Sequence, residues 1–220
     1  MPPFNTSSFT SGDYARPEGQ MGLKLAVLMH QSNASMTYKS ANTLNLQEDD
    51  LILEVGQGGG DHIAELHRRH PGIRYTGIDH SHTLHAHCAE NETLKALDCK
   101  FVEGKARQHT LPFADNTFDA LLAVNLIYFF DDLAAITDEY ARVLKPGGRI
   151  AIAFKDKATL QSAPIELNGL NLYQPQELQA AMESSGFDDI AVTSHSEDVL
   201  RFDGSWAERT YHIVTAICAA

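Results

Sequence analysis

"LILEVGQGGGDHIAEL", residues Leu51 to Leu66, decides the fold. The apolar run "LILEV" predicts a buried strand, and the helical spacing of Ile63 and Leu66 predicts a helix after it. Between them four glycines, Gly56 and Gly58 to Gly60, fall within five positions. A loop stripped this bare lets main-chain N–H groups approach a ligand that side chains would hold off. A dinucleotide fingerprint G-x-G-x-x-G starting at Gly56 needs its third glycine at position 61, where Asp61 stands. A carboxylate at that helix start also repels a pyrophosphate, whereas a zwitterionic or cationic ligand meets less opposition.

Downstream, short apolar runs alternate with helical segments. "RYTGID", "KFVEG", "FDALLAVN" and "RIAIAF" read as strands two to five. "SHTLHAHCAENETLKAL" reads as one helix capped by Ser81, and "LAAITDEYARVL" as another, closed by "KPGG". An irregular span follows from Lys155 to Leu172, then a helix "PQELQAAMESSG" with Pro175 at its start and Gly186 at its end. Alternation of this kind implies a parallel sheet covered on both faces. The last two strands, "DDIAVTSHS" and "ERTYHIVTAICA", have no helix between them and too short a connection for a parallel crossover, so they should form an antiparallel hairpin. The expected fold is α/β: a seven-stranded, mostly parallel sheet with helices on both faces and a C-terminal antiparallel hairpin strand. Upstream, residues 1–47 read as a Ser/Thr/Pro/Gly-rich tail, mobile over its first dozen residues, and two short helices broken near Ser32 to Ala34. They form a cap on a single domain of residues 48–220.

Composition narrows the partners. The 220 residues are 43% hydrophobic and carry a formal net charge of −12, which argues against a nucleic-acid surface, since such surfaces gather Lys and Arg. Three cysteines without paired spacing, Cys88, Cys99 and Cys218, suggest neither a disulfide framework nor a zinc ribbon. The N-terminal residues lack the order of a secretion signal. The longest apolar stretch, Ala120 to Phe130, is too short to span a bilayer and contains Asn125. A cytoplasmic protein with no membrane span is expected. His80, His82, His85 and His87 cluster near Cys88 but read as surface helix positions, so no metal is expected.

The spacing that fits the loop is acidic-x-G-x-G-x-G: Glu54, Gly56, Gly58, Gly60. With Asp79 closing "GID" some twenty residues on, and with "LPFADNTFDALLAVNLIYFFDDLAAITDEYARVLKPGGRIAI", it resembles the class I S-adenosylmethionine-dependent methyltransferases. The likeness is to their small-molecule branch, which includes quinone-pathway C-methyltransferases. It covers Leu51 to Phe154, with an echo in "YQPQELQAAMESSGFDDIAV". A Rossmann-like fold is implied, with S-adenosyl-L-methionine as cofactor and a small-molecule methyl acceptor as partner; homo-oligomerisation is left open.

The resemblance assigns the cofactor to Glu54, Gly56, Gln57, Gly58, Asp79, His80, Lys105, Ala106 and Asn125. Glu54, directly or through water, would receive the ammonium, and the loop amides would face the carboxylate. Asp79 is acceptor-only when ionised, which suits a ribose diol donating two hydrogen bonds. Asn125 either shapes a turn or lines the methyl-donor site; Tyr128 is either a core aromatic or the catalytic, substrate-facing residue. Where the family reads G-D-A, this chain has Gly104, Lys105 and Ala106. A lysine ammonium has no acceptor, so Lys105 cannot take the adenine amine, and the Ala106 N–H is left to reach a ring nitrogen. Methyl transfer by in-line displacement is the implied reaction. Two alternatives stand beside it: a non-catalytic S-adenosylmethionine- or S-adenosylhomocysteine-binding protein, and a NAD-dependent oxidoreductase suggested by the glycine loop alone.

Overall fold

The computed structural model describes residues 9–104, 110–162, 166–200 and 205–219. Seven strands form one sheet: β1 (Leu51–Val55), β2 (Arg74–Asp79), β3 (Lys100–Glu103), β4 (Phe118–Val124), β5 (Leu144–Lys155), β6 (Phe187–Leu200) and β7 (Trp206–Cys218). Their order is β3-β2-β1-β4-β5-β7-β6, parallel from β3 through β5, with β7 antiparallel to both β5 and β6. The seven strands and the closing hairpin stand as the sequence predicts. The strand order reverses between β1 and β4, and an open parallel sheet binds ligands outside the carboxyl ends of its strands at such a point.

Strand alternation divides the core in two. Leu53, Val55, Leu121, Ala123, Ile150, Ile152 and Phe154 face one side, under α6 (Leu133–Val143) and α8 (Pro175–Ser184). Ile52, Tyr75, Ala120, Leu122, Ala151 and Ala153 face the other, with Met36, Ala41 and Leu44 at the far end of α2 (Gly19–Thr43) and with Ile63 and Leu66 of α3 (Ile63–Arg69). The three small alanines let α2 settle close to β4 and β5. The remaining helices are α1 (Ser11–Ala15), α4 (His82–Glu90), α5 (Glu92–Ala96) and α7 (Lys157–Ser162).

Five local expectations need correction. α2 runs unbroken through Ser32–Ala34: mid-helix Thr37 and Ser40 turn their hydroxyls back onto the carbonyls of Asn33 and Met36, and packing overrides the weak propensity of "SNAS". The single helix after Ser81 is two, because the Asn91 side chain accepts from Thr93 N–H and Leu94 N–H and starts a new helix. "KPGG" belongs to β5, where Leu144 pairs with Phe118 before a register shift carries Arg149 opposite Ala120. Within the tail, Thr10 and Asp13 form a reciprocal cap that orders α1; residues 1–8 lie outside the described residues. The irregular span also holds α7. Among the described residues no helix is long and apolar enough to cross a membrane.

Candidate active site

Glu54 is the one polar side chain in β1, and alternation points it toward the α2 face with Ile52. It is 2% exposed. Its Oε2 accepts from Tyr75 Oη at 2.5 Å and pairs with His62 Nε2 at 2.7 Å. Burial by itself would strip the charge from His62, but the adjoining carboxylate outweighs it and the imidazole pKa is raised. Burial and the same carboxylate push the Tyr75 hydroxyl well up. His30 of α2 stacks on His62 at 6.2 Å between ring centres, and burial followed by the His62 charge lowers its pKa. The surroundings thus favour the charged form of His62 and the neutral form of His30.

The glycine turn follows. Gly56, Gly58 and Gly60 all have positive φ, and the Gly58 N–H donates to Asp79 Oδ2 at 3.1 Å. Asp79 Oδ1 accepts from the Ser81 N–H at 2.9 Å. Burial raises the Asp79 pKa; these two N–H groups and the partly exposed His80 pull against it. Gln57 lies over Gly77 of β2, where an added Cβ would stand 3.0 Å from the glutamine side chain. Both Gln57 amide atoms are buried without a hydrogen bond among the described residues, as are Asn33 Oδ1 and Asn125 Nδ2. Buried polar groups are nearly always satisfied, so this group of orphans marks a place where a polar ligand belongs.

Gly60 shows how tightly the turn is held. Its φ is +73°, and a Cβ there would meet Cys88 Sγ at 2.9 Å and Ile63 Cδ1 at 3.1 Å. Burial pushes the Cys88 thiol up to about 12, so it packs rather than reacts. Gly60→Ala is expected to lower stability by about 2 kcal/mol, from left-handed backbone strain plus crowding. A shift in the urea midpoint at constant slope would record it.

These residues enclose a cleft of about 530 Å³, counting its open mouth, at the carboxyl edge between β1 and β4. Ala26, Met29, His30, Asn33 and Thr37 of α2 form one wall, and the turn with Glu54, His62, Val124 and Asn125 forms the other. Asn125 takes φ +54°, a conformation asparagine tolerates, and its N–H donates to Ala153 O at 2.7 Å. Tyr128, 4% exposed, accepts the Lys155 N–H, and its own hydroxyl proton is placed for Asn125 Oδ1 at 3.1 Å or Lys155 O at 3.4 Å. That hydroxyl ties the end of β4 to the end of β5, and burial raises its pKa. Lys105 and Ala106 lie outside the described residues. His62, Tyr75, His30 and Asn33 were not singled out by the sequence. Only the position of His62, just past the glycines, offered any signal.

A sheet of this order, with acidic side chains ending β1 and β2 and a glycine turn at the point of reversal, defines a class I S-adenosylmethionine-dependent methyltransferase fold. Residues 53–152 match the methyltransferase domain family. The ubiquinone/menaquinone biosynthesis C-methyltransferase UbiE of Desulfotalea psychrophila is 35% identical over 98 residues, 44% of this chain and 38% of the relative, so the match spans well under half of that relative's length. The geranyl diphosphate C-methyltransferase of Streptomyces coelicolor, solved with Mg2+, geranyl diphosphate and S-adenosyl-L-homocysteine, superposes with TM-score 0.68 at 17% identity, covering 94% of this chain and 88% of that one. The [4+2]-cyclase SpnF superposes with TM-score 0.63 at 22% identity, covering 91% and 82%.

Proposed function

We propose that the chain is an S-adenosyl-L-methionine-dependent methyltransferase that moves a methyl group to a small-molecule acceptor by in-line displacement. The observation that carries this reading is the set of unsatisfied amide atoms, both of Gln57 with Asn33 Oδ1 and Asn125 Nδ2, that lines one cleft with the buried Glu54 and a bare glycine turn. Asp79 spends one acceptor position of each oxygen on a backbone N–H and keeps others for a ribose diol. Glu54 gives Oε2 to His62 and Tyr75, which leaves Oε1 toward an ammonium, directly or through water. The positive His62 beside it complements an amino acid's carboxylate, so the pair offers both signs to a zwitterion. Gly56, Gln57 and Gly58 supply main-chain contacts, and His80 flanks the diol carboxylate.

When bound, the cofactor supplies an electrophilic methyl on a sulfonium. The chain's own work is alignment and exclusion of water, an effect worth roughly 7–11 kcal/mol when reacting atoms are held at near-attack distance. Tyr128 serves as a positioning residue that fixes Asn125 at the acceptor end, since its hydroxyl is committed to Asn125 and Lys155. Residues 1–47 act as a cap on the domain of residues 48–220, because α2 forms one wall of the cleft.

Calorimetry with S-adenosylhomocysteine and, separately, with NADH tests the reading. Micromolar binding of the first and none of the second is expected. NADH as the tighter ligand would restore the oxidoreductase alternative. A fold shared with a protein named a [4+2]-cyclase keeps one second reading in view, a cofactor binder that transfers no methyl. Turnover of a radiolabelled methyl donor against phenols, quinones, amines and acids separates the two: label in an acceptor supports the enzyme, and S-adenosylhomocysteine binding without label in any acceptor supports the binder.

A further inference from the structure

β5 ends in a lysine whose ammonium has no partner among the described residues. Val124 lines the cleft from the end of β4, and its register partner on β5 is Ala153. Two residues further along, on the same α2-facing side by strand alternation, stands Lys155, at the carboxyl edge where the cleft opens. Its backbone is fixed on both sides: N–H and C=O meet Tyr128 Oη, and the strand pairs with β7 at Tyr211. Its ammonium makes no ion pair or side-chain hydrogen bond among the described residues.

Two carboxylates near this corner among the described residues are engaged elsewhere. Asp156, the next residue, caps α7 by accepting from the Thr159 N–H at 2.7 Å. Glu197 of β6 takes the Arg209 guanidinium, the Ser35 hydroxyl at 2.7 Å and Lys39 Nζ at 3.3 Å. The other charges facing this corner are positive: Arg209 of β7, whose side chain is 4% exposed and donates to Ser32 O, and Lys39 of α2, 5.6 Å from the Tyr211 ring centre. Burial and then Arg209 lower the Lys155 pKa to about 7. Part of the lysine surface remains open, so a ligand can reach it. Across the β4–β5 junction, Asn125 Nδ2 is a buried donor without an acceptor among the described residues. A buried amide donor without an acceptor, near a half-buried ammonium that makes no ion pair among the described residues, suits an anion that completes both.

We infer that Lys155 and the side-chain amide of Asn125 form an oxyanion-binding corner of the acceptor site, so that the methyl acceptor is a small organic acid held by its carboxylate. This inference rests on the methyltransferase reading and narrows its substrate class. Lys155 acts as an ammonium, and because its pKa lies near 7, affinity for the acid is lost as pH rises through neutrality. Full dependence on the charge predicts a fall of more than about tenfold between pH 6.5 and 8.5.

The test uses the full chain loaded with S-adenosylhomocysteine and a panel of aromatic and aliphatic hydroxy acids, each paired with its neutral methyl ester, such as 4-hydroxybenzoate with methyl 4-hydroxybenzoate. Binding is measured by calorimetry at several pH values. Supporting results are an acid preferred over its ester by tenfold or more at pH 6.5, loss of that preference in Lys155→Met, and a retained but pH-independent preference in Lys155→Arg. Equal binding of acids and esters, no acid bound by the loaded protein, a preference that survives Lys155→Met, or one that grows with pH as a general base would give, each overturns the inference. S-adenosylhomocysteine affinity within threefold of wild type shows that a variant is folded. Failure of the wild-type chain to bind S-adenosylhomocysteine would instead count against the methyltransferase reading itself.

Discussion

Asp79→Ala is expected to weaken S-adenosylhomocysteine binding by two to four orders of magnitude while the protein stays folded. The carboxylate ends β2 at 8% exposure and holds one backbone N–H on each oxygen, Gly58 at 3.1 Å and Ser81 at 2.9 Å. Hydrogen bonds to a charged group contribute about 1.5–3 kcal/mol each, so losing two from a diol costs about 3–6 kcal/mol of binding. Stability responds far less. Removing a carboxylate whose pKa burial has already raised relieves desolvation, and this offsets much of the cost of freeing two N–H groups. Asp79→Asn keeps the volume but presents one acceptor where there were two, and should lose at least about tenfold. Binding should also fall away with acid at a higher pH than an ordinary aspartate gives, because the protonated form accepts poorly. Calorimetry beside urea denaturation checks all three, and affinity within threefold of wild type in both variants would remove Asp79 from the site.

Much of this architecture was legible because it rests on local rules. Alternating strands and helices gave the parallel core, the missing helix between the last two strands gave the hairpin, and the glycine spacing placed the turn. What stayed illegible depends on partners remote in sequence. α2 is continuous because Met36, Ala41 and Leu44 pack on the sheet and because Ser35 and Ser32 are tied to the hairpin 162 and 177 residues away. Nothing in "SNAS" announces that. Glu54 was found by its motif, yet its bonding to Tyr75, 21 residues on, and to His62, eight on, required the strand register to bring them to one face. Tyr128 illustrates the same limit: an aromatic after a buried strand carries no sign that its hydroxyl will be spent joining β4 to β5.

The Glu54–His62 pair should be the most stability-sensitive point of the cleft. His62→Leu leaves a carboxylate at 2% exposure with only the Tyr75 hydroxyl, and removing one partner of a buried ion pair typically costs about 3–5 kcal/mol. For a chain of this size that is a fall of roughly 10 °C in Tm. Glu54→Gln/His62→Leu removes both charges and lets the glutamine carbonyl accept from Tyr75, so the double variant should regain most of the loss. A coupling energy above about 2 kcal/mol in the cycle is expected, and simple additivity would show that the pair is not a unit. The pH dependence gives a second handle with a definite sign. Glu54 raises the His62 pKa above its ordinary value of 6.5 against the opposing effect of burial. The extra stability is therefore complete below 6.5 and lost as pH rises through the raised pKa. The stability gap between wild type and His62→Leu should narrow from pH 6 toward pH 9. A gap that stays constant over that range would mean a neutral imidazole, and the cleft would then lack the positive charge that lets this pair complement a zwitterion.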